Sequence, residues 1–546
     1  MDDGMTPDDI NGYFDSLPDW DEVPGNVVKF PGGSSVTSDD DDDDLPTISL
    51  AAGELHTIAT AAEDALIASE TPFYVRGEKL MRPVIDDLPA SHGRRAKVAR
   101  LSEVTEAAMI DRLSRCAKWQ RWDGRTSKFV KTDPSAKVAS TVLSRDGEWR
   151  FPRLAGVITT PTLRPDGTIL SEPGYDYATQ LLLLDPPEMP KLPAKPTKKL
   201  ATAALARLNG LLDEFPFVDE ESRSVALSAL ITPVVRGALS VAPMHVTKAP
   251  VAGSGKSYII DLASALNSGE RAPVVTAGRT EEETEKRLVA ALLSGQTIIS
   301  IDNVNGELGG DALCQIIERP VVSVRPLGQS SFVKIESRAS CFATGNNIRL
   351  VGDMTRRVIL CSLDPDMERP ELREFKADPF DEVLANRGLY VAAALTVVRA
   401  YVVAGCPNQC PTLASFGDWS RLVRSALVWL GKPDPVATMN RAREDDPVKT
   451  ALLNLYSSWH GAVGSAPQTA SEIIKVASAR GPYEAHLNPE LQEALVLVAG
   501  DRSGRVSAVA LGSYFSKHKD RVLDGLKLVE DGKTRTNQRL WKIDTL

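Results

Sequence analysis

The sequence predicts an α/β core on a mainly parallel sheet, preceded by an α+β region and followed by a small unit of helices and a hairpin. Three observations carry this. Between residue 200 and about residue 430, the short apolar runs MHVT, PVVTA, TIISID and SCFAT alternate with helical patterns, as strands joined by helical crossovers do. A glycine-bearing loop, TKAPVAGSGKSYII, stands between the first of these strands and a helical pattern. A Pro- and Lys-rich stretch, PPEMPKLPAKPTKK from Pro186 to Lys199, sets the core off from what precedes it.

Residues 1–46 hold fourteen Asp and Glu, including the run Asp39–Asp44, against Lys29 alone. With so little apolar surface to offset chain entropy, they are expected to form a disordered acidic tail. Tyr13, Phe14, Leu17 and Trp20 alternate with acids there, a pattern suited to a basic, apolar groove on a partner protein. A purely solubilising tail is the plainer alternative. The tail carries −13 and the whole chain of 546 residues −10, which leaves +3 for residues 47–546, so the acidic total does not exclude a nucleic-acid partner.

Residues 47–185 read as an α+β accessory or oligomerisation domain, with a helical pattern over Glu54–Ala68 and a turn-rich end, GVITTPTLRPDGTILSEPGYD. Residues 186–199 are the expected linker and residues 200–440 the core. Residues 441–546 show helical patterns at Pro447–His460, at Ser471–Ala479 behind a Thr469/Glu472 capping-box spacing, from Pro489, and at Ser507–Asp520. LKLVEDGKTRTNQRLWKID then reads as two strands around a polar, basic turn. Helices followed by such a hairpin describe a winged helix.

The six cysteines are scattered; only Cys406 and Cys410 lie close, so no four-ligand zinc site is spelled out and reduced thiols are expected. The longest strongly apolar stretch, Tyr390–Val398, stops at Arg399, far short of a membrane span. The start MDDGMTPDDI lacks the basic and apolar regions of a signal peptide. A cytoplasmic protein with no membrane partner is the expectation.

The glycine-bearing loop is a candidate phosphate site lined by Pro250, Val251, Ala252, Gly253, Ser254, Gly255, Lys256, Ser257 and Tyr258. Gly253 and Gly255 allow backbone N–H groups to face phosphate oxygens, Lys256 brings charge to the outer phosphates, and Ser257 offers a hydroxyl to Mg²⁺. Pro250 replaces the first glycine of the usual G-x-x-x-x-G-K-[ST] pattern. It still turns the chain, and the flanking strand and helix argue against a chance Gly-Lys-Ser. TIISID ends in Asp302, 46 residues after Lys256, placed to hold Mg²⁺ beside Ser257; a strand capped by a turn Asp is the plain alternative. ASCFATGN ends in Asn346, 90 residues after Lys256, a candidate to reach the γ-phosphate or orient the attacking water, although Asn-rich turns after strands are common. Arg356 and Arg357, followed by the strand-like run VILCSL, suit a cation that reaches a neighbouring subunit's nucleotide, or else surface salt bridges.

Taken in this order, the four pieces resemble the superfamily 3 helicases of viruses and plasmids, a branch of the AAA+ ATPases. RLAGVITTPTLRPDGTILSEPGYDYATQLLL looks like the region before the motor in phage and plasmid primase-helicase proteins, so the resemblance covers most of residues 150–546. It implies an ATP- and Mg²⁺-dependent DNA helicase of phage or mobile-element replication in a bacterial host cell. Such proteins act as rings, here expected to be hexameric, on single-stranded or forked DNA, and the partner of the acidic tail would be another replication protein. Carried over, Lys256 and Ser257 match the phosphate and Mg²⁺ residues, Asp302 the Mg²⁺-side acid, Asn346 the sensor and Arg356 or Arg357 the finger.

One position departs. Asn303 stands where such motors carry a second acid, and an amide positions water but accepts no proton. Glu282, Glu283 and Glu307 are candidate replacements, although the first two read equally well as the charged first turn of a helix. VVSVRPLGQSSFVKIES reads as two strands around Leu327–Gly328 with Arg325 and Lys334 near the base. In the resembled helicases a hairpin here projects into the channel and tracks one DNA strand. Lys517, Lys519 and Arg521, with Lys533, Arg535 and Arg539 around the wing, are further candidate phosphate contacts. A nucleotide-switched initiator or helicase loader is the second reading, and Asn303 favours it. A primase-helicase is disfavoured, since the first 190 residues show neither a zinc-ligand set nor a paired-acid polymerase site.

Overall fold

The computed structural model describes residues 27–28, 45–89, 95–278, 280–327, 331–373, 375–444, 447–481, 486–501 and 503–546. Helices and strands are mixed throughout. The chain divides into two compact units: the larger runs to Thr438 except for residues 307–309 and 349–356, which belong with Met439–Leu546 in the smaller.

The larger unit contains a five-stranded parallel sheet, β1 (Met244–Lys248), β2 (Val274–Thr276), β3 (Ile298–Asp302), β4 (Ser340–Gly345) and β5 (Val358–Ser362), in the order β2-β3-β4-β1-β5. Four of the five strands are buried along nearly their whole length, as strands covered on both faces must be. The expected parallel sheet is therefore present, and all five strands fall on the runs that predicted them. Around it lie α1 (Lys198–Gly210), α2 (Glu220–Val234), α3 (Lys256–Ser268), α4 (Glu281–Leu293), α5 (Asp311–Glu318) and α6 (Arg387–Val403). Registers such as Lys248↔Gly345, Lys248↔Ser362 and Thr276↔Asp302 bring the carboxyl ends of the strands to one edge. That edge is where ligands bind in such sheets.

The stretch Tyr390–Val398 lies within α6, which is buried nearly all round and packs on α1, α2 and α3. Its uniform apolarity is that of a core helix. Among the described residues no single helix is long and apolar enough to cross a membrane.

The region before the core has its own apolar cluster, including Ile48, Leu66, Phe73, Met109, Leu113, Trp119, Val142 and Phe151. Its helices Leu55–Ala68, Glu106–Cys116 and Ala136–Leu143 lie beside a sheet of Thr47–Leu50, Lys118–Asp123 and Lys128–Lys131. Arg76 joins this region to the core: Nη1 donates to the carbonyls of Leu154 and Ala155, and Nη2 to the Leu292 carbonyl at 3.0 Å. Burial lowers its pKa to about 10.

Two expectations change. The stretch Pro186–Lys199 is not a free tether: Leu192 is only 4% exposed, the Glu188 carbonyl sits where any side chain on Gly388 would go, and Ala194 O accepts from Arg399 Nη2. Leu192 and Pro196 are buried, and the apolar surface they remove from water outweighs the freedom the composition suggested. Within residues 1–46, Val27–Val28 forms a strand antiparallel to Gly174–Asp176, so β-branched residues override an otherwise acidic segment. Tyr13, Phe14, Leu17, Trp20 and the run Asp39–Asp44 lie outside the described residues.

The smaller unit holds helices Pro447–Val463, Ala470–Ser478, Pro489–Ala499 and Ala508–His518, then the antiparallel strands Val522–Leu523, Leu526–Lys533 and Arg539–Thr545. The Thr469/Glu472 capping box is formed in both directions. Phe515 packs between Trp459, tilted at 4.9 Å, and Trp541, edge to face at 5.6 Å between ring centroids, in its core.

Candidate functional site

The loop from β1 to α3 is held by two glycines in the left-handed region, Gly253 at φ 75° and Gly255 at φ 89°. Each is also packed: a Cβ on Gly255 would sit 3.1 Å from the Phe215 ring, and one on Gly253 would sit 3.1 Å from the main-chain nitrogen of Glu371. Backbone angle and space both demand glycine. Gly255 caps α3, so the first N–H groups of that helix, which have no partner within the helix, open onto the loop.

Lys256 occupies the first position of α3, and its Nζ donates to the Val251 carbonyl at 2.9 Å across the loop. Burial lowers the pKa of this ammonium while the charge of Asp302 works against the shift. Ser257 Oγ donates to Asp302 Oδ1 at 3.0 Å, and Thr344 Oγ1 donates to the same oxygen. Thr344 Oγ1 also accepts from Asn303 N at 3.2 Å, and Val304 N donates to Thr344 O at 2.7 Å. The exit of β3 is thus laced onto the end of β4. Gly345 permits this crossing, because a Cβ there would overlap the Val304 carbonyl. The donor set is a nest of N–H groups and an ammonium, beside a hydroxyl and a carboxylate. These are hydrogen-bond donors for an oxyanion, next to hard-oxygen ligands of the kind that Mg²⁺ takes.

Asn303 is exposed and lies at φ 55°, a left-handed conformation that Asn tolerates better than most residues. Asn346 is the first residue beyond β4 and is half-buried. Glu282 and Glu283 form the first turn of α4 with ion pairs to Lys286 and Arg287, so the structural reading of that acidic run prevails. Of the arginine pair, Arg357 is 5% exposed and ion-paired with Glu318, which settles it as an internal residue of the larger unit. Arg356 lies at the surface beside Asp353, 3.1 Å away.

The strands Val321–Val324 and Val333–Glu336 form the expected hairpin, with Ser323 opposite Lys334. Arg325, Lys334, Leu327 and Phe332 are exposed, and Gly328 lies outside the described residues. In the smaller unit Lys517, Lys533 and Arg535 are exposed and Arg521 is half-buried, whereas Lys519 and Arg539 are drawn to Glu530.

Sequence reasoning missed Thr344, Phe215 and Glu371. Thr344 sits in the run that gave β4, but nothing in its spacing marks it as a contact of Asp302. Phe215 and Glu371 are remote in sequence from the loop that they pack against, and no local signal points to them. Tyr258, counted with the loop, turns its hydroxyl to the Asp378 carboxylate and accepts from Phe380 N.

No protein-family model matches the sequence, and no curated protein matches it. Solved structures do align with it, two of them at 10% identity each. One is the A-form apo structure of the NrS-1 C-terminal region, which covers 88% of this chain and 98% of that one at a TM-score of 0.34. The other, the same region spanning residues 305–718, covers 89% and 99% at a TM-score of 0.40.

Proposed function

We propose that this chain is an ATP-dependent DNA helicase of phage or mobile-element replication, built on an AAA+ P-loop core with a winged-helix C-terminal domain. The observation that carries this is the join of Ser257 to Asp302 at 3.0 Å, directly behind Lys256 and the two left-handed glycines. A sheet order that puts β4 between the glycine-loop strand and the acid-ended strand supports the same reading.

On this reading Lys256 exchanges the Val251 carbonyl for the outer phosphates of ATP, and the N–H groups of residues 253–257 hold the inner ones. Ser257 and Asp302 hold Mg²⁺, which when bound offsets the charge that develops on the phosphoryl oxygens. Asn346 orients the attacking water, and Arg356 reaches the nucleotide of a neighbour in a ring, expected to be hexameric. Arg325 and Lys334 on the hairpin track single-stranded or forked DNA, joined by Lys517, Lys533 and Arg535 of the winged helix.

ATP turnover by wild type and Lys256→Ala, each with and without single-stranded DNA, tests the proposal. DNA-stimulated turnover that Lys256→Ala reduces by at least about 100-fold is the expected result. A chain that binds ATP but does not turn it over, with or without DNA, refutes the motor. The second reading, a nucleotide-switched initiator or loader, would then hold. It is favoured by Asn303 in the place of an acid and by the engagement of Glu282 and Glu283 in ion pairs within their own helix.

A further inference from the structure

The region before the core carries a feature that the proposed motor does not use. Strands Lys118–Asp123 and Lys128–Lys131 form a hairpin in which Trp122 lies directly opposite Phe129 and Gln120 opposite Lys131. The two rings meet edge to face with centroids 5.2 Å apart, yet Trp122 is 56% and Phe129 54% exposed. The fold does not need them for its core. Trp119, on the other face of the same strand, is 4% exposed, belongs to the apolar cluster and donates its indole N–H to the Leu113 carbonyl at 2.8 Å.

Charge sets this pair apart from an ordinary exposed apolar spot. From Ala117 to Lys131 the chain carries Lys118, Arg121, Arg125, Lys128 and Lys131 against Asp123 alone. Lys131 shares the aromatic face, being paired with Gln120 two residues before Trp122. Arg125 and Lys128, both exposed, stand around the turn. Arg121 and Lys128 alternate to the other face and Arg125 lies 3.9 Å from Asp123, but open aromatic faces beside Lys131, on a hairpin that carries five cations against one acid, match a polyanion with unpaired bases. Bases stack on the rings, phosphates meet the cations, and neither contact reads sequence.

We infer that the Trp122/Phe129 hairpin is a single-stranded nucleic-acid platform, a second strand contact besides the channel hairpin. The inference rests on the DNA role proposed above and extends it to residues that had none. Duplex is a poorer occupant, because its bases are already stacked and present no faces to the rings.

The test uses the full chain without nucleotide and an oligothymidylate of about 16 nucleotides, long enough for a platform of this kind. With 4-thiothymidine in the oligomer, photocrosslinks are expected in the segment Trp119–Lys131. Trp122→Ala with Phe129→Ala should weaken binding by roughly ten-fold or more, without the same loss on a duplex of equal length. Arg125→Gln with Lys128→Gln should lower the salt dependence by about 0.7 per lost phosphate contact. The two aromatic positions are more than half exposed, so an unchanged thermal midpoint is expected and separates lost binding from lost folding. Unaltered oligothymidylate binding and no crosslink in the segment overturn the inference. So does a synthetic peptide of residues 1–26 that binds wild type but not the aromatic double variant while DNA affinity stays unchanged. Failure of the motor reads differently: the platform's contribution persists while DNA fails to stimulate turnover, in wild type as in Lys256→Ala.

Discussion

Thr344 belongs to no motif, yet its hydroxyl joins the carboxylate of Asp302 to the main chain of Asn303. On the proposed function Asp302 holds Mg²⁺, and a group that orients such a carboxylate acts at one remove. Thr344→Val should therefore weaken Mg²⁺-dependent nucleotide binding by about 10-fold or more, and Thr344→Ser should recover most of it. A Mg²⁺ titration of nucleotide binding measures both. His245, on the glycine-loop strand β1, makes a pH-dependent contribution. It is buried against Phe342, its Nε2 lies 2.9 Å from Ser228 Oγ, its Nδ1 has no partner among the described residues, and burial pushes its pKa from the ordinary 6.5 to about 3. The unfolded chain takes up this proton near pH 6.5 and the folded chain does not. Stability from this group is therefore complete above pH 6.5 and falls as pH drops toward 3, by about 1.4 kcal/mol per unit. Urea unfolding between pH 7 and pH 5 should show a shallower fall in His245→Gln than in wild type. Neither role was legible in sequence, because Ser228, Phe342 and Asp302 reach these residues only through the sheet.

Elements were legible where period and punctuation agreed. All five strands of the parallel sheet, the helix Ala470–Ser478 with its capping box and the hairpin Leu526–Thr545 each arose from a local pattern that the fold then used. The Pro- and Lys-rich stretch shows the limit of that logic. Its composition reads as a tether, but the Glu188 carbonyl lies against Gly388 of α6, a helix some two hundred residues away. Gly388→Ala forces a methyl group into that carbonyl and should lower stability by about 1–3 kcal/mol, read as a lower urea midpoint with an unchanged m-value. The same substitution at Gly210, where a Cβ meets nothing, should cost no stability.

At the scale of the molecule, each unit has its own core. The buried residues of the smaller one's cluster run from Leu452 to Ile543, and the partly buried side chains packed against them, from Val448 to Leu526, also lie within Met439–Leu546. A fragment Met439–Leu546 should therefore fold alone and unfold in a single cooperative step, followed by the fluorescence of Trp459 and Trp541. A gradual, non-cooperative melt would show that the cluster depends on the rest of the chain. The larger unit gathers its site from one edge of one sheet, and that geometry makes Lys256, Ser257, Asp302 and Thr344 neighbours although they span 89 positions of sequence.

By itself the sequence determined the strands, the glycine loop, the acid that ends β3 and the hairpins, because each depends on a period, a cap or a turn that neighbouring residues carry. Only the tertiary structure decided which residues share the site. It buried Arg357 against Glu318 and left Arg356 at the surface, bound Glu282 and Glu283 into their own helix, and drew Thr344 onto Asp302. It also left Trp122 and Phe129 in the open while Trp119, three residues before Trp122, entered the core. Burial and ion pairing depend on which elements pack against each other, and no local pattern along the chain encodes that.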